Sequence, residues 1–152
     1  MDLMSDILMR LNLQGSLYFR TAFTSPWGVD VPSYENVSRF HFAHRGRCLV
    51  RVDGQAPVAL DQGDLVIIPH GSSHRLYCDP TTEDGALPLD RVVELSGFTG
   101  HGALIDAGSD HGPETELVCG HVAFDPNGRQ RILVKLPTSV LLRQYGERAG
   151  RW

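Results

Sequence analysis

Histidines and cysteines carry most of the chemistry open to this chain: seven of the first and three of the second. His41, Cys48, His74 and Cys119 fall in short, strand-like apolar segments. Two imidazoles and two thiolates form a donor set suited to one divalent metal, tetrahedral zinc before others. His121 follows Cys119 by two residues, so it points the same way in an extended segment and can replace His41. Four protein ligands would close such a site and make it structural; three and a water would leave it open for chemistry or sensing. The competing reading is inert packing, because buried cysteines are common core fillers and a histidine on an apolar strand is usually hydrogen-bonded core. Trp27, His41, His70 and His74 are the candidate contacts for a small-molecule ligand. Trp27, between Pro26 and Gly28, reads either as a loop anchor or as a ligand contact at a barrel mouth. His70 sits within a turn four residues before His74, and its direction is open. His44, His101 and His111 read as surface loop residues. There is no Ser-His-Asp set, no phosphate-binding loop and no dinucleotide-binding glycine motif.

The elements that must position these groups are mostly strands. Residues 1–15 form an N-terminal helical segment: Ser5 is a suitable N-cap, Ile7, Leu8 and Leu11 recur at helical spacing, and Gly15 can end it. The period then falls to two. Residues 17–23 and 39–43 read as strands, and Cys48, Val50 and Val52 share one face of a third. Asp53-Gly54 is a hairpin signal, and residues 56–60 form a short strand that Pro57 confines to an edge. Leu65 to Ile68 is a continuous apolar run, hence a barrel-wall strand. Residues 79–113 are a glycine-rich insertion, a mobile loop or lid in which only Arg91 to Leu95 looks strand-like. Residues 116–124 form a last strong strand, and 126–152 a C-terminal segment with a candidate helical stretch, interrupted by Pro137. His41 and Cys48, seven residues apart, share a face only if the bend at Gly46 shifts the register.

Composition bounds the function. A chain of 152 residues, 41% hydrophobic and 21% charged, fits one globular domain. Sixteen glycines and nine prolines suit a turn-rich β protein. A net charge of −4 gives no basic footprint for nucleic acid, and Arg143, Arg148 and Arg151 near the end read as solvated surface. An odd number of cysteines, without a secretory signal or a long apolar run, argues for a cytoplasmic protein with no membrane span. No repeat or low-complexity tract occurs.

One segment narrows the reading. Residues Gly63 to His74 spell G-D-x4-P-x-G-x2-H. This resembles the second cupin motif, in which a turn glycine, a wall strand and a Pro-Gly turn deliver a histidine into a barrel. Cys78 stands where cupins often carry Asn. The first cupin motif, H-x-H followed by Glu and a glycine seven residues later, is degraded: seven residues before Gly46 stands Arg39. The usual three-histidine, one-glutamate cage of cupin enzymes is therefore missing.

The chain as a whole is similar to the cupin half of AraC-type transcription regulators. The stretches that carry this are 13–20, Pro26-Trp27-Gly28, Phe40-His41-Phe42, Gly46-Arg47-Cys48, the 63–74 motif, 117–120 and Leu136-Pro137. The resemblance implies an all-β, cupin-type double-stranded β-helix (a jelly-roll barrel) as a single domain over 1–152. It implies a domain that senses a small effector or forms a homodimer, and that reaches DNA only through a helix-turn-helix region absent from this sequence. An ending on Trp152 just after an apolar segment reads as a cut. The alternative is a stand-alone metal-dependent cupin enzyme, an oxygenase or isomerase; the degraded first motif makes the non-enzyme the expectation.

Overall fold

In the computed structural model, residues 16–34, 37–96, 104–108, 114–123 and 136–144 are described. The N-terminal helix expected over 1–15 lies outside them, as do His101 and His111. Eleven strands are seen among the described residues. They are β1 (Ser16–Thr24), β2 (Gly28–Val31), β3 (Val37–Arg45), β4 (Cys48–Val52), β5 (Val58–Leu60), β6 (Leu65–Ile68), β7 (His74–Tyr77), β8 (Leu87–Pro88), β9 (Leu104–Gly108), β10 (Glu114–Ala123) and β11 (Val140–Leu142). They form two sheets, one ordered β11-β6-β3-β10-β1-β9 and the other β5-β4-β7-β2-β8.

Alternation explains why the sheets face each other. On the first sheet, register aligns Phe23 with Thr115, Cys119 with His41, and His41 with Val66, and cross-strand partners share a face. On the second, Val31 and Val52 flank His74, and Val29 and Val50 flank Leu76. Phe23, Val29, Val31, Ala43, Cys48, Val50, Val52, Val66, Ile68, Leu76, Leu117 and Cys119 make one continuous core. β5 lies at a sheet edge, as expected, with Pro57 just before its first residue.

The bend at Gly46 answers the parity question. Gly46 has φ +74°, and there the chain leaves one sheet for the other. His41 on β3 and Cys48 on β4 therefore both reach the interior, from opposite walls.

The insertion over 79–113 needs correction. Residues Leu89–Ser96, expected as strand around Arg91 to Leu95, form a helix, α1. Leu89, Val92 and Val93 recur at i, i+3 and i+4 and pack on the core, Val92 at 3% exposure. Asp90 lies in the first turn and Arg91 pairs with Glu94 at 3.7 Å, an i, i+3 contact that suits a helix. A 3₁₀ turn over Pro80–Thr82, capped by Asp79, and strands β8 and β9 add further regular structure to it. In the C-terminal segment, the described residues carry strand β11 paired with β6 and no helix.

The cupin-like turn is held by its aspartate. Asp64 is 2% exposed and accepts hydrogen bonds from the backbone N–H of Asp61 and Gln144, both at 2.9 Å, and from Arg143 at 2.7 Å. Burial pushes its carboxyl upward, but these three donors outweigh it and hold it below the usual range. Asp64 thereby ties the residues just after β11 to the β5–β6 turn. No helix among the described residues is long and apolar enough to cross a membrane.

Gly71 and Gly54 both have positive φ, at 63° and 80°. A Cβ at Gly71 would stand within 2.5 Å of two carbonyl oxygens, of Tyr34 and Val37, whereas one at Gly54 meets nothing within 4 Å. Gly54→Ala should cost about 1 kcal/mol, the left-handed penalty alone. Gly71→Ala should cost at least about 2 kcal/mol more, because backbone must move. Urea unfolding midpoints of the two variants measure the difference.

Candidate functional site

The interior has two distinct ends. At one, β3 and β7 bring His41 and His74 together across the gap between the sheets. Their Nε2 atoms are 2.8 Å apart and the rings meet edge to face. His74 is fully buried and His41 3% exposed. The Nδ1 of His74 lies 2.8 Å from the carbonyl oxygen of Ser72, which can only accept. His74 therefore carries its proton on Nδ1, and its Nε2 accepts a proton donated by Nε2 of His41. The Nδ1 of His41 is then a lone pair, buried and without a partner.

Charge points the same way. Burial, then each ring's charged neighbours, holds His41 well below its ordinary value, with His74 and Arg39 both lowering it. Burial pushes His74 down to about 4; its bond to Ser72 opposes this and Arg39 adds to it. Both effects favour the neutral rings near pH 7. Arg39 precedes His41 by two residues, shares its face and is 7% exposed, with its Nε unpartnered. Among the described residues it pairs with no carboxylate; its guanidinium carbon lies 4.9 Å from the centre of the Tyr34 ring.

The expected four-ligand cluster does not assemble. Among the described residues no group of three or more His, Cys, Asp or Glu stands close enough to hold one ion. His41 and His74 meet; Cys119 stands opposite His41 in the β3–β10 register and Cys48 is buried in the core, and neither completes a group of three with them. Burial pushes the Cys48 thiol up to about 12 and that of Cys119 further. His121 shares the inner face with Cys119 but is only half-buried and joins no cluster. The residues present therefore do not fit a resident metal. The Nε2 lone pairs face one another around a shared proton, and a buried guanidinium repels a cation where a cupin enzyme carries glutamate.

Two other candidate ligand contacts turn elsewhere. His70 uses Nε2 to donate to the carbonyl of Leu136 at 2.8 Å and so clasps the C-terminal segment. Trp27 is 6% exposed and stacks on Phe23 with centroids 4.5 Å apart, the anchoring role. It also lines a small cavity of about 130 Å³ with Pro26, Leu87 and Val92.

The opposite end of the interior is open. A cleft of about 580 Å³ lies where β1, β4, β7 and β10 start or end, lined by Ser25, Arg47, Cys48, Cys78, Asp79 and Glu114 among others. Its walls offer a cation, two carboxylates, two thiols and apolar carbon, enough to select a small polar molecule. Sequence reasoning passed over this site, because its lining residues are strand ends scattered over 90 positions. Arg39 was legible: alternation from His41 puts it on the same face.

These imidazoles make stability pH-dependent. Unfolded histidines titrate near 6.5, so between there and the folded values the unfolded chain binds more protons. Stability should be complete above about pH 6.5 and fall as pH drops toward 4, with a slope approaching about 2.7 kcal/mol per unit for the two rings. His121, also pushed down by burial and then by Arg39, adds to the same sign. Urea unfolding at a series of pH values checks this, and replacing both His41 and His74 by Leu should remove most of the slope.

Known proteins place this architecture. A protein of Streptomyces antibioticus named as an AraC-like transcription regulator is 26% identical over 145 residues, covering 92% of this chain and 44% of its own length. The crystal structure of YhaK from Escherichia coli superposes on 87% of this chain and 45% of its own, at a TM-score of 0.50 and 11% identity, a likeness of fold. ToxT of Vibrio cholerae, solved with an unsaturated fatty acid bound, covers 86% of this chain and 42% of its own at a TM-score of 0.46 and 8% identity. The chain spans less than half the length of each. The family model described as Cupin matches residues 2–152, and the chain, all-β with two facing sheets and the 63–74 motif in place, belongs to the cupin family.

Proposed function

We propose that this chain is the effector-sensing half of an AraC-type transcription regulator, that it forms a homodimer, and that a small molecule enters the cleft at the Gly46 end. The observation that carries the reading is the 26% identity over nearly the whole chain to an AraC-like regulator more than twice its length. The open cleft supports it, since sensing needs space and polar groups but no reacting centre.

The mechanism is a population shift. An effector that binds one arrangement of the cleft favours that arrangement by its difference in affinity. Asp79 and Pro80, which line the cleft, begin the segment that leads through the 3₁₀ turn to α1. Ligand contact there would bias that segment, and through it whatever packs on the barrel. Contact with DNA would belong to another region, a reading the net charge of −4 supports. Metal-dependent turnover has no support in the ligand geometry of the described residues.

Two measurements test this. A compound that binds only the native chain, present at about a hundred times its Kd, should stabilise it by about 2.7 kcal/mol in thermal unfolding. Arg47→Ala and Leu49→Trp should each reduce that effect; an unchanged effect in both contradicts the cleft assignment. In the gene, the codon for Trp152 should be followed in frame by helix-turn-helix coding sequence. A stop codon there contradicts the regulator reading.

A further inference from the structure

Cys48 and Cys78 line the same cleft, and both are free thiols. Their placement follows from register. β4 and β7 pair Val52 with His74, Val50 with Leu76 and Leu49 with Tyr77. One step further, Cys48 stands opposite Cys78. Hydrogen bonding fixes the type of that position. Asp53 N–H donates to Ser73 O across the β4–β7 pair, so alternate pairs from there, ending at Leu49 and Tyr77, are the hydrogen-bonded ones. Cys78 instead turns its N–H to the other neighbour, donating to Trp27 O at 3.1 Å. Cys48 and Cys78 therefore occupy a non-hydrogen-bonded position, where Cα atoms lie about 4.5 Å apart and side chains come closest. That separation is within the range a disulfide spans. Both side chains lie on the inner face, with the Val50 and Leu76 pair next along.

We infer that Cys48 and Cys78 are a dithiol that hydrogen peroxide closes into a cross-strand disulfide at the mouth of the barrel. Cys78, half-exposed, is the sulfur a peroxide meets first; Cys48, 1% exposed, is the resolving thiol. Cys78 Sγ accepts from the Trp27 backbone N–H at 3.3 Å and lies 3.5 Å from Thr82 Oγ1, contacts it gives up when it turns to Cys48. Cys78 Sγ attacks one peroxide oxygen: an S–O bond forms, the O–O bond breaks, and the leaving oxygen departs as water with the thiol proton. Cys48 Sγ then attacks the sulfenic sulfur: the S–S bond forms, the S–O bond breaks, and a second water leaves with the Cys48 proton. Two thiols are oxidised and one hydrogen peroxide is reduced to two waters. The bond staples β4 to β7 across one wall of the cleft. Cys119, in the opposite sheet and outside the cleft lining, takes no part. The inference rests on strand register and stands apart from the effector reading.

Peptide mapping tests it on the wild-type chain, so no variant need fold. The chain is treated with hydrogen peroxide, remaining thiols are blocked with N-ethylmaleimide, and trypsin is added. The expected product joins peptide 48–51 to peptide 76–91, about 2 Da lighter than their sum, with Cys119 in peptide 92–129 alkylated. Cys119→Ala should leave the link intact; Cys48→Ser or Cys78→Ser should abolish it. A link to Cys119, a link only between two molecules, or sulfenic acid at Cys78 that never resolves onto Cys48 overturns the inference.

Discussion

The hydrogen bond between His41 and His74 decides what one end of this barrel can hold. It joins the two sheets through side chains with almost no access to water, and it holds only while a single proton lies between the two Nε2 atoms. The Ser72 carbonyl sets the tautomer of His74, which sets that of His41. A buried pair of this kind is expensive to break, since each freed polar atom would lose its partner without gaining water. Arg39 reinforces the arrangement: its charge opposes a proton on either ring, and would oppose a metal ion for the same reason. The position where a metal-binding cupin carries a carboxylate thus carries the opposite charge, and the interior closes on itself.

That closure moves the useful space to the other end. There the strands start and stop around a cleft lined by charged, thiol and apolar groups. The glycine at 46, whose φ lets the chain cross between sheets, also forms part of its rim, and a Cβ there would stand 2.7 Å from the carbonyl of Glu114. The 63–74 motif contributes architecture more than chemistry. Gly63 bonds to Ala43, Asp64 anchors the residues after the C-terminal strand, Gly71 permits the turn against Tyr34 and Val37, and His74 is spent on His41.

Strand positions were readable from sequence wherever one face is buried, because a period of two is then enforced. Cys48, Val50 and Val52 on one face and β5 at an edge came directly from alternation and from Pro57. The failure at Leu89–Ser96 has a simple cause: adjacent valines look strand-like, and only the spacing of Leu89, Val92 and Val93 betrays the helix. Among the site residues, His41 and His74 were legible as interior groups. Their meeting was not, because it depends on how two sheets stack and not on the order of residues. The thiols misled in the same way. Cys48 and Cys119 sit on facing walls, whereas Cys48 and Cys78, neighbours across a strand pair, face one another only once the β4–β7 register is known.

The account turns on the barrel holding a proton-sharing histidine pair where an enzyme of this fold would hold a metal. Long-range ¹H–¹⁵N correlation of the imidazoles, recorded with and without added zinc, tests this directly. The account predicts a protonated Nδ1 on His74 and a protonated Nε2 on His41, both unmoved by zinc. Zinc that shifts one nitrogen on each ring together would contradict it and return the chain to the metal-dependent cupins.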